Sequence, residues 1–164
     1  MIKKLNILIV TMFGVGNSKY APGTVASFLT CLIYIIFFSQ EVNILILVLF
    51  VCLVFFYTIY VLDELKNSFS SIDASEIVID EFVGQSIPVL SVYNLVEFSS
   101  INNFIFYTFI VFIFFRIFDI FKPYPIGLID RNIKNGFGVI LDDIIAGIYA
   151  GILFLITFAF LNYV

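Results

Sequence analysis

Residues Phe115 to Ala150 read FRIFDIFKPYPIGLIDRNIKNGFGVILDDIIAGIYA. This stretch sets Arg116, Asp119, Lys122, Asp130, Arg131, Lys134, Asp142 and Asp143 between two strongly apolar runs. The chain is 62% hydrophobic and 12% charged, with 8 basic and 12 acidic residues, so eight of its twenty charges lie here. Pro123 and Pro125 bracket Tyr124, and Gly136 and Gly138 flank Phe137. Such residues stop one helix and fix a turn before the next begins. The stretch predicts a charged, rigid elbow at a membrane surface, with carboxylates on both sides of it.

The apolar runs on either side settle the fold class. Mean hydropathy is +1.15, and Val25–Phe38, Ile44–Leu62 and Phe104–Phe115 hold no charged residue. About 20 apolar residues cross about 30 Å of hydrocarbon at about 1.5 Å per residue. Strand-like alternation is absent, which argues against a β-barrel. The expectation is an all-α, polytopic integral membrane helix bundle, with residues 1–164 as one domain. Helices are predicted over Thr24–Phe38, Ile44–Leu62, Ile77–Val96, Phe104–Phe121 and Asp142–Val164. Pro88 predicts a kink in the third of them. Lys3 and Lys4 before an apolar stretch resemble the start of a signal peptide, but no clean small-x-small site follows. A retained interfacial or half-inserted segment is expected there.

If Ile77–Val96 crosses, there are about five spans. Lys3, Lys4, Lys19, Lys66, Lys122, Arg131 and Lys134 then share one side, opposite Glu41 and Glu97. That asymmetry assigns the basic side to the cytoplasm. It also puts Asp80, Glu81, Asp119, Asp142 and Asp143 at the cytoplasmic ends of their helices. A four-span alternative, with a re-entrant Ile77–Val96, loses the asymmetry.

Composition excludes several chemistries. Net charge is −4 with no basic tract, so nucleic acid is not an expected partner. Histidine is absent, which removes phosphohistidine, His-ligated metal and Ser-His-Asp mechanisms. Cys31 and Cys52 are followed six residues on by Phe37 and Thr58, not by the Arg of a cysteine phosphatase. Both read as small apolar packers. No Gly-Lys-Ser/Thr triplet marks a phosphate loop.

What remains is carboxylate chemistry. Asp80-Glu81, Asp119 and Asp142-Asp143 come from three separate segments to one membrane face. Acids in apolar surroundings must be paired, protonated or bound to a cation. Without histidine, an oxygen-only ligand set of Asp80, Glu81, Asp142 and Asp143 fits Mg²⁺ or Mn²⁺ and not Zn²⁺. The competing reading is ion pairing with Arg116, Lys122, Arg131 and Lys134, and Arg116–Asp119 has the spacing for it. Thr24 and Ser27, after the Pro22-Gly23 turn, either cap a helix or help bind an oxyanion at its positive end. Metal, Lys122 and Arg116 at a membrane face point to phosphate chemistry on a lipid. Direct attack by a carboxylate and attack by water both remain open.

Five motifs in one order resemble phosphatidylglycerophosphatase A. They are Ala21-Pro22-Gly23-Thr24 with Ser27; Asp80-Glu81-Phe82-Val83-Gly84; Phe115-Arg116 with Phe118-Asp119, Lys122-Pro123 and Pro125; Ile129-Asp130-Arg131 with Gly136-Phe137-Gly138; and Asp142-Asp143 with Ala146-Gly147. They cover roughly residues 14–151. Ala26 is a departure, since the family often has Gly there. The resemblance implies a Mg²⁺-dependent, multi-pass enzyme of the bacterial inner membrane. It would convert phosphatidylglycerophosphate to phosphatidylglycerol, with its site facing the cytoplasm. Asp80, Glu81, Asp119, Lys122, Asp142 and Asp143 would be catalytic. Thr24, Ser27, Arg116, Lys122 and Arg131 would hold the substrate phosphate. The rivals from other classes are a divalent-cation transporter, which would need polar groups at mid-depth, and a non-catalytic membrane subunit.

Overall fold

The computed structural model describes residues 2–65, 68, 69, 74–98 and 100–163. Lys66, counted above on the basic side, and part of the loop that follows it lie outside the described residues. Among the described residues every regular element is helical. They are α1 (Ile2–Val10), a 3-10 turn (Val15–Asn17), α2 (Pro22–Ser39), α3 (Ile44–Leu65), α4 (Ile79–Leu95), α5 (Ile101–Phe121), α6 (Ile126–Asn132) and α7 (Gly136–Tyr163).

Local chemistry explains the boundaries. Asn43 Oδ1 accepts the Leu45 N–H at 2.9 Å and starts α3. α5 ends where Lys122 enters the left-handed region at φ 42°, with its N–H bonded to Phe118 O; Pro123 then cannot extend the helix. The elbow is more than a turn, since it contains the short helix α6. Helix α7 was expected from Asp142 but begins six residues earlier. Its first N–H groups are already met there: Asn135 Oδ1 accepts from Gly138 at 2.9 Å and Asp63 Oδ1 from Gly136 at 3.2 Å. Asp142 and Asp143 thus sit in its second turn, not at its start. α1 keeps Ile2, Leu5 and Leu8 exposed. It is moored by Asn6, which donates to Glu64 and accepts from Tyr57.

Helices α2, α3, α5 and α7 are long and apolar enough to cross a membrane. Shorter and less apolar, α4 lies at the centre and packs on all four. Its 17 residues rise about 25 Å. It runs the full length beside α2. At one end Glu81 lies against Gly23. At the other, Tyr93 Oη donates to Phe37 O and Val42 O. A re-entrant α4 would turn back and could not make both contacts; a continuous α4 beside four span-length helices is consistent with about five spans.

The tightest packing is between α4 and α7. A Cβ on Gly84 would press on Asp143 and the Phe115 ring, and one on Gly147 would collide with Gly84 O. Pro88 has no N–H to offer that carbonyl four residues back, so Gly84 O is free to face α7. Gly147 and Gly151 form the small-x-x-x-small pattern that lets membrane helices approach closely.

Candidate active site

All five acids of the sequence reading lie at one end of the bundle, and their partners differ. Asp80 and Glu81 occupy the first turn of α4. This end of α4 is pinned to α1 through the Val78 N–H to Val10 O bond, 3.0 Å. The Gly84–Gly147 approach brings Asp143 of α7 beneath it. One ligand oxygen from each of Asp80, Glu81 and Asp143 lies within 4.8 Å of the others. Asp119 of α5 faces Glu81 and Asp143. Asp80 and Asp143 are 7% and 5% exposed. Carboxylates this close repel one another, and burial removes the water that would screen them. A metal ion among them would relieve both costs. The three acids could hold one, and their all-oxygen set suits a hard cation.

Cations stand beside this group. Arg116 pairs with Asp119 at 2.5 Å, as its three-residue spacing predicted. Its Nη1 also donates to Ser27 Oγ at 3.4 Å, joining α5 to α2. Lys122 Nζ lies 2.7 Å from Asp142 and 2.9 Å from Asp130. Burial disfavours its ammonium, but the bonds to Asp142 and Asp130 and their attraction outweigh this and hold its pKa above the usual lysine value. Lys134 reaches Asp130 at 4.0 Å and stays mostly exposed.

The adjacent acids Asp142 and Asp143 are therefore split. Asp143 joins the carboxylate group and Asp142 turns to Lys122, because neighbouring residues on a helix point about 100° apart. The expected four-ligand set becomes three acids together with a fourth engaged by lysine. Thr24 and Ser27 are not caps. No side chain caps α2, and Ser27 Oγ donates to Gly23 O at 2.8 Å. Ser27 instead faces Arg116, while Thr24 is half-buried in the first turn of α2. Arg131 is exposed on α6 and makes no ion pair among the described residues.

Sequence reading missed the role of Gly23. A Cβ there would collide with the Glu81 carboxylate, so the absent side chain lets that acid reach the start of α2. The signal in the sequence is a glycine in the first turn of a helix, which by itself implies only a turn.

Fold and site together define a polytopic helical membrane protein whose carboxylate centre, at one membrane face, could hold a metal ion. The profile of the phosphatidylglycerophosphatase A family matches residues 8–158, and the chain belongs to that family of phosphoric monoester hydrolases. It is 32% identical over 154 residues to a phosphatidylglycerophosphatase A of Haemophilus influenzae, covering 91% of this chain and 89% of that one. It is 31% identical over 152 residues to its Escherichia coli namesake, covering 91% and 81%. It is also 35% identical over 152 residues to a Bacteroides thetaiotaomicron protein named as a candidate phosphatidylinositol-3-phosphatase, covering 91% of each. No solved structure matches the chain.

Proposed function

We propose that this chain is a Mg²⁺-dependent phosphatase of the bacterial inner membrane. It hydrolyses phosphatidylglycerophosphate to phosphatidylglycerol and phosphate, as a single membrane-embedded domain over residues 1–164. The observation that carries the reading is the approach of Asp80, Glu81 and Asp143 within 4.8 Å beside Arg116. The names of the H. influenzae and E. coli relatives support the substrate.

Asp80, Glu81 and Asp143 would hold Mg²⁺. Bound there, the ion would neutralise phosphate oxygens and ease deprotonation of a water. Arg116, held by Asp119 and Ser27, presents fixed positive charge to the phosphoryl group. Lys122, held by Asp142 and Asp130 at the head of the elbow, attracts the anionic headgroup from the water side. Fixing both cations beforehand avoids the reorganisation that flexible side chains would need. The lipid tails stay in the bilayer beside the spans while the headgroup enters at the acid end. By the charge asymmetry, that end faces the cytoplasm.

The test is phosphate release by the purified protein in detergent. Turnover of phosphatidylglycerophosphate with Mg²⁺, and its loss in EDTA with recovery on Mg²⁺ addition, is the expected result. Phosphatidylinositol 3-phosphate belongs in the same assay, given the name of the Bacteroides relative. Equal turnover with and without Mg²⁺ would remove the metal assignment. Reporter fusions at Asn132 and Glu41 check orientation: Asn132 should read cytoplasmic and Glu41 external.

A further inference from the structure

The spans are not purely apolar: Thr30, Gln85 and Ser86 are all fully buried. The hydroxyls satisfy themselves locally. Thr30 donates to Ala26 O and Ser86 to Phe82 O, each four residues back. Gln85 has no such outlet. It is 0% exposed, and neither its Oε1 nor its Nε2 has a hydrogen-bond partner among the described residues. A primary amide offers two donors and an acceptor, and leaving it unmet in a dry interior is a substantial penalty.

Its neighbours fix where it points. Gly84 faces Asp143 of α7 and Phe115 of α5. Ser86, on the other flank, faces Tyr34 of α2. Gln85 lies between them around α4 and so faces the seam between α5 and α2. Arg116 and Ser27 close that same seam with their hydrogen bond. Gln85 is also four residues beyond Glu81, on the same helix face, and helical side chains lean toward the N-terminus. Its amide is therefore aimed at the turn that carries Glu81. Two further atoms there lack partners among the described residues: Glu81 Oε2 and Arg116 Nε. Thr108 Oγ1 also lacks a partner among the described residues, about two turns deeper than Arg116 on α5. Tyr34 Oη lies by Ser86, so Gln85 stands between the level of Tyr34 and that of Glu81, with its amide leaning toward Glu81.

We infer that Gln85 is a further catalytic residue of the carboxylate centre, whose Nε2 donates to an oxygen of the substrate's phosphoryl group. This rests on the phosphatase reading above. A neutral amide suits the position, because its N–H donors stabilise developing negative charge. Gln85 would form the floor of the site, Arg116 and Ser27 one wall, and Asp80, Glu81 and Asp143 the metal-bearing roof.

The experiment compares wild type with Gln85→Met, which keeps length and removes the amide, and with Gln85→Leu as a second apolar replacement. Three quantities are measured: kcat on phosphatidylglycerophosphate, the Mg²⁺ concentration for half-maximal rate, and the melting temperature in detergent with and without inorganic phosphate. Removing one preorganised oxyanion donor should lower kcat by about 10²–10³-fold. The Mg²⁺ requirement should stay unchanged, since Gln85 is no ligand. The melting temperature without phosphate should stay level or rise, because an unmet amide has left the core. Inorganic phosphate should stabilise wild type, and that stabilisation should disappear in both variants. Retention of kcat within threefold overturns the inference. So does a fall in melting temperature parallel to the fall in kcat, or failure of both variants to fold, since Gln85 would then be structural. If wild type itself has no activity, it is the phosphatase reading that fails. The phosphate-dependent shift then decides alone: its presence in wild type and loss in both variants supports the phosphate contact, and any other pattern overturns it.

Discussion

The two ends of the bundle are built on opposite terms. At the far end, Phe38 stacks on Phe104 with ring centroids 3.9 Å apart, and Tyr93 and Phe98 pack edge-on or tilted around them. Tyr93 Oη donates its proton to backbone carbonyls there. At the acid end, carboxylates crowd together, Lys122 takes a left-handed backbone conformation, and buried atoms of Glu81, Gln85 and Arg116 lack partners among the described residues. One end is held by aromatic packing. The other holds crowded charge and unmet polarity of the kind that collects at functional sites. On the proposed function, stability and chemistry are separated along the same bundle, and α4 carries both: Tyr93 at one end, Asp80 and Glu81 at the other.

That separation can be broken by experiment. Asp143→Asn should have the largest effect, a loss of turnover of about a thousandfold, near 4 kcal/mol of barrier. The Mg²⁺ requirement should rise while the melting temperature holds or increases, because one of three repelling carboxylates is gone. Normal Mg²⁺-dependent turnover in this variant would make the acid group structural. Phe104→Ala should do the reverse. Deleting a fully buried ring should lower stability by about 3 kcal/mol, measured by thermal melting in detergent, with kcat per folded molecule unchanged. A large fall in kcat there would show that the two ends are coupled.

Lys122→Met sharpens the comparison within the acid end. It should reduce turnover about tenfold to a hundredfold by removing a charge-assisted contact. Because Lys122 neutralises Asp142, the freed carboxylate has its own readout. If the variant shifts the Mg²⁺ requirement as much as Asp143→Asn does, Lys122 serves the acids and not the substrate. Lys134→Met should be the smallest effect. Its 4.0 Å contact with Asp130 is exposed, and such pairs are worth about 0–1 kcal/mol. Turnover and melting should both stay within error, and a clear loss of activity would extend the phosphate-binding surface along α6.

Much of this was legible from the chain alone. Charge-free runs long enough to cross hydrocarbon fixed an all-helical membrane bundle, because each backbone group in a lipid-facing segment must be satisfied within its own helix. The absence of histidine reduced the candidate ligands to carboxylates, and the basic residues on alternate connections carry the proposed orientation. Arg116–Asp119 was readable because helical spacing is local. Other features needed the folded molecule. Asp142 and Asp143 are indistinguishable in sequence, and only the direction from which α4 and the elbow approach sends one to the acid group and the other to Lys122. α7 begins at Gly136 because Asp63, 73 residues earlier, accepts its first N–H. Gly23 reads as a bend until Glu81 is seen resting on it. Gln85 is one polar residue in a span by sequence, and only the folded molecule shows it fully buried with no hydrogen-bond partner among the described residues. Periodicity and hydropathy are properties of one helix, whereas which face meets which neighbour is decided by the packing of several.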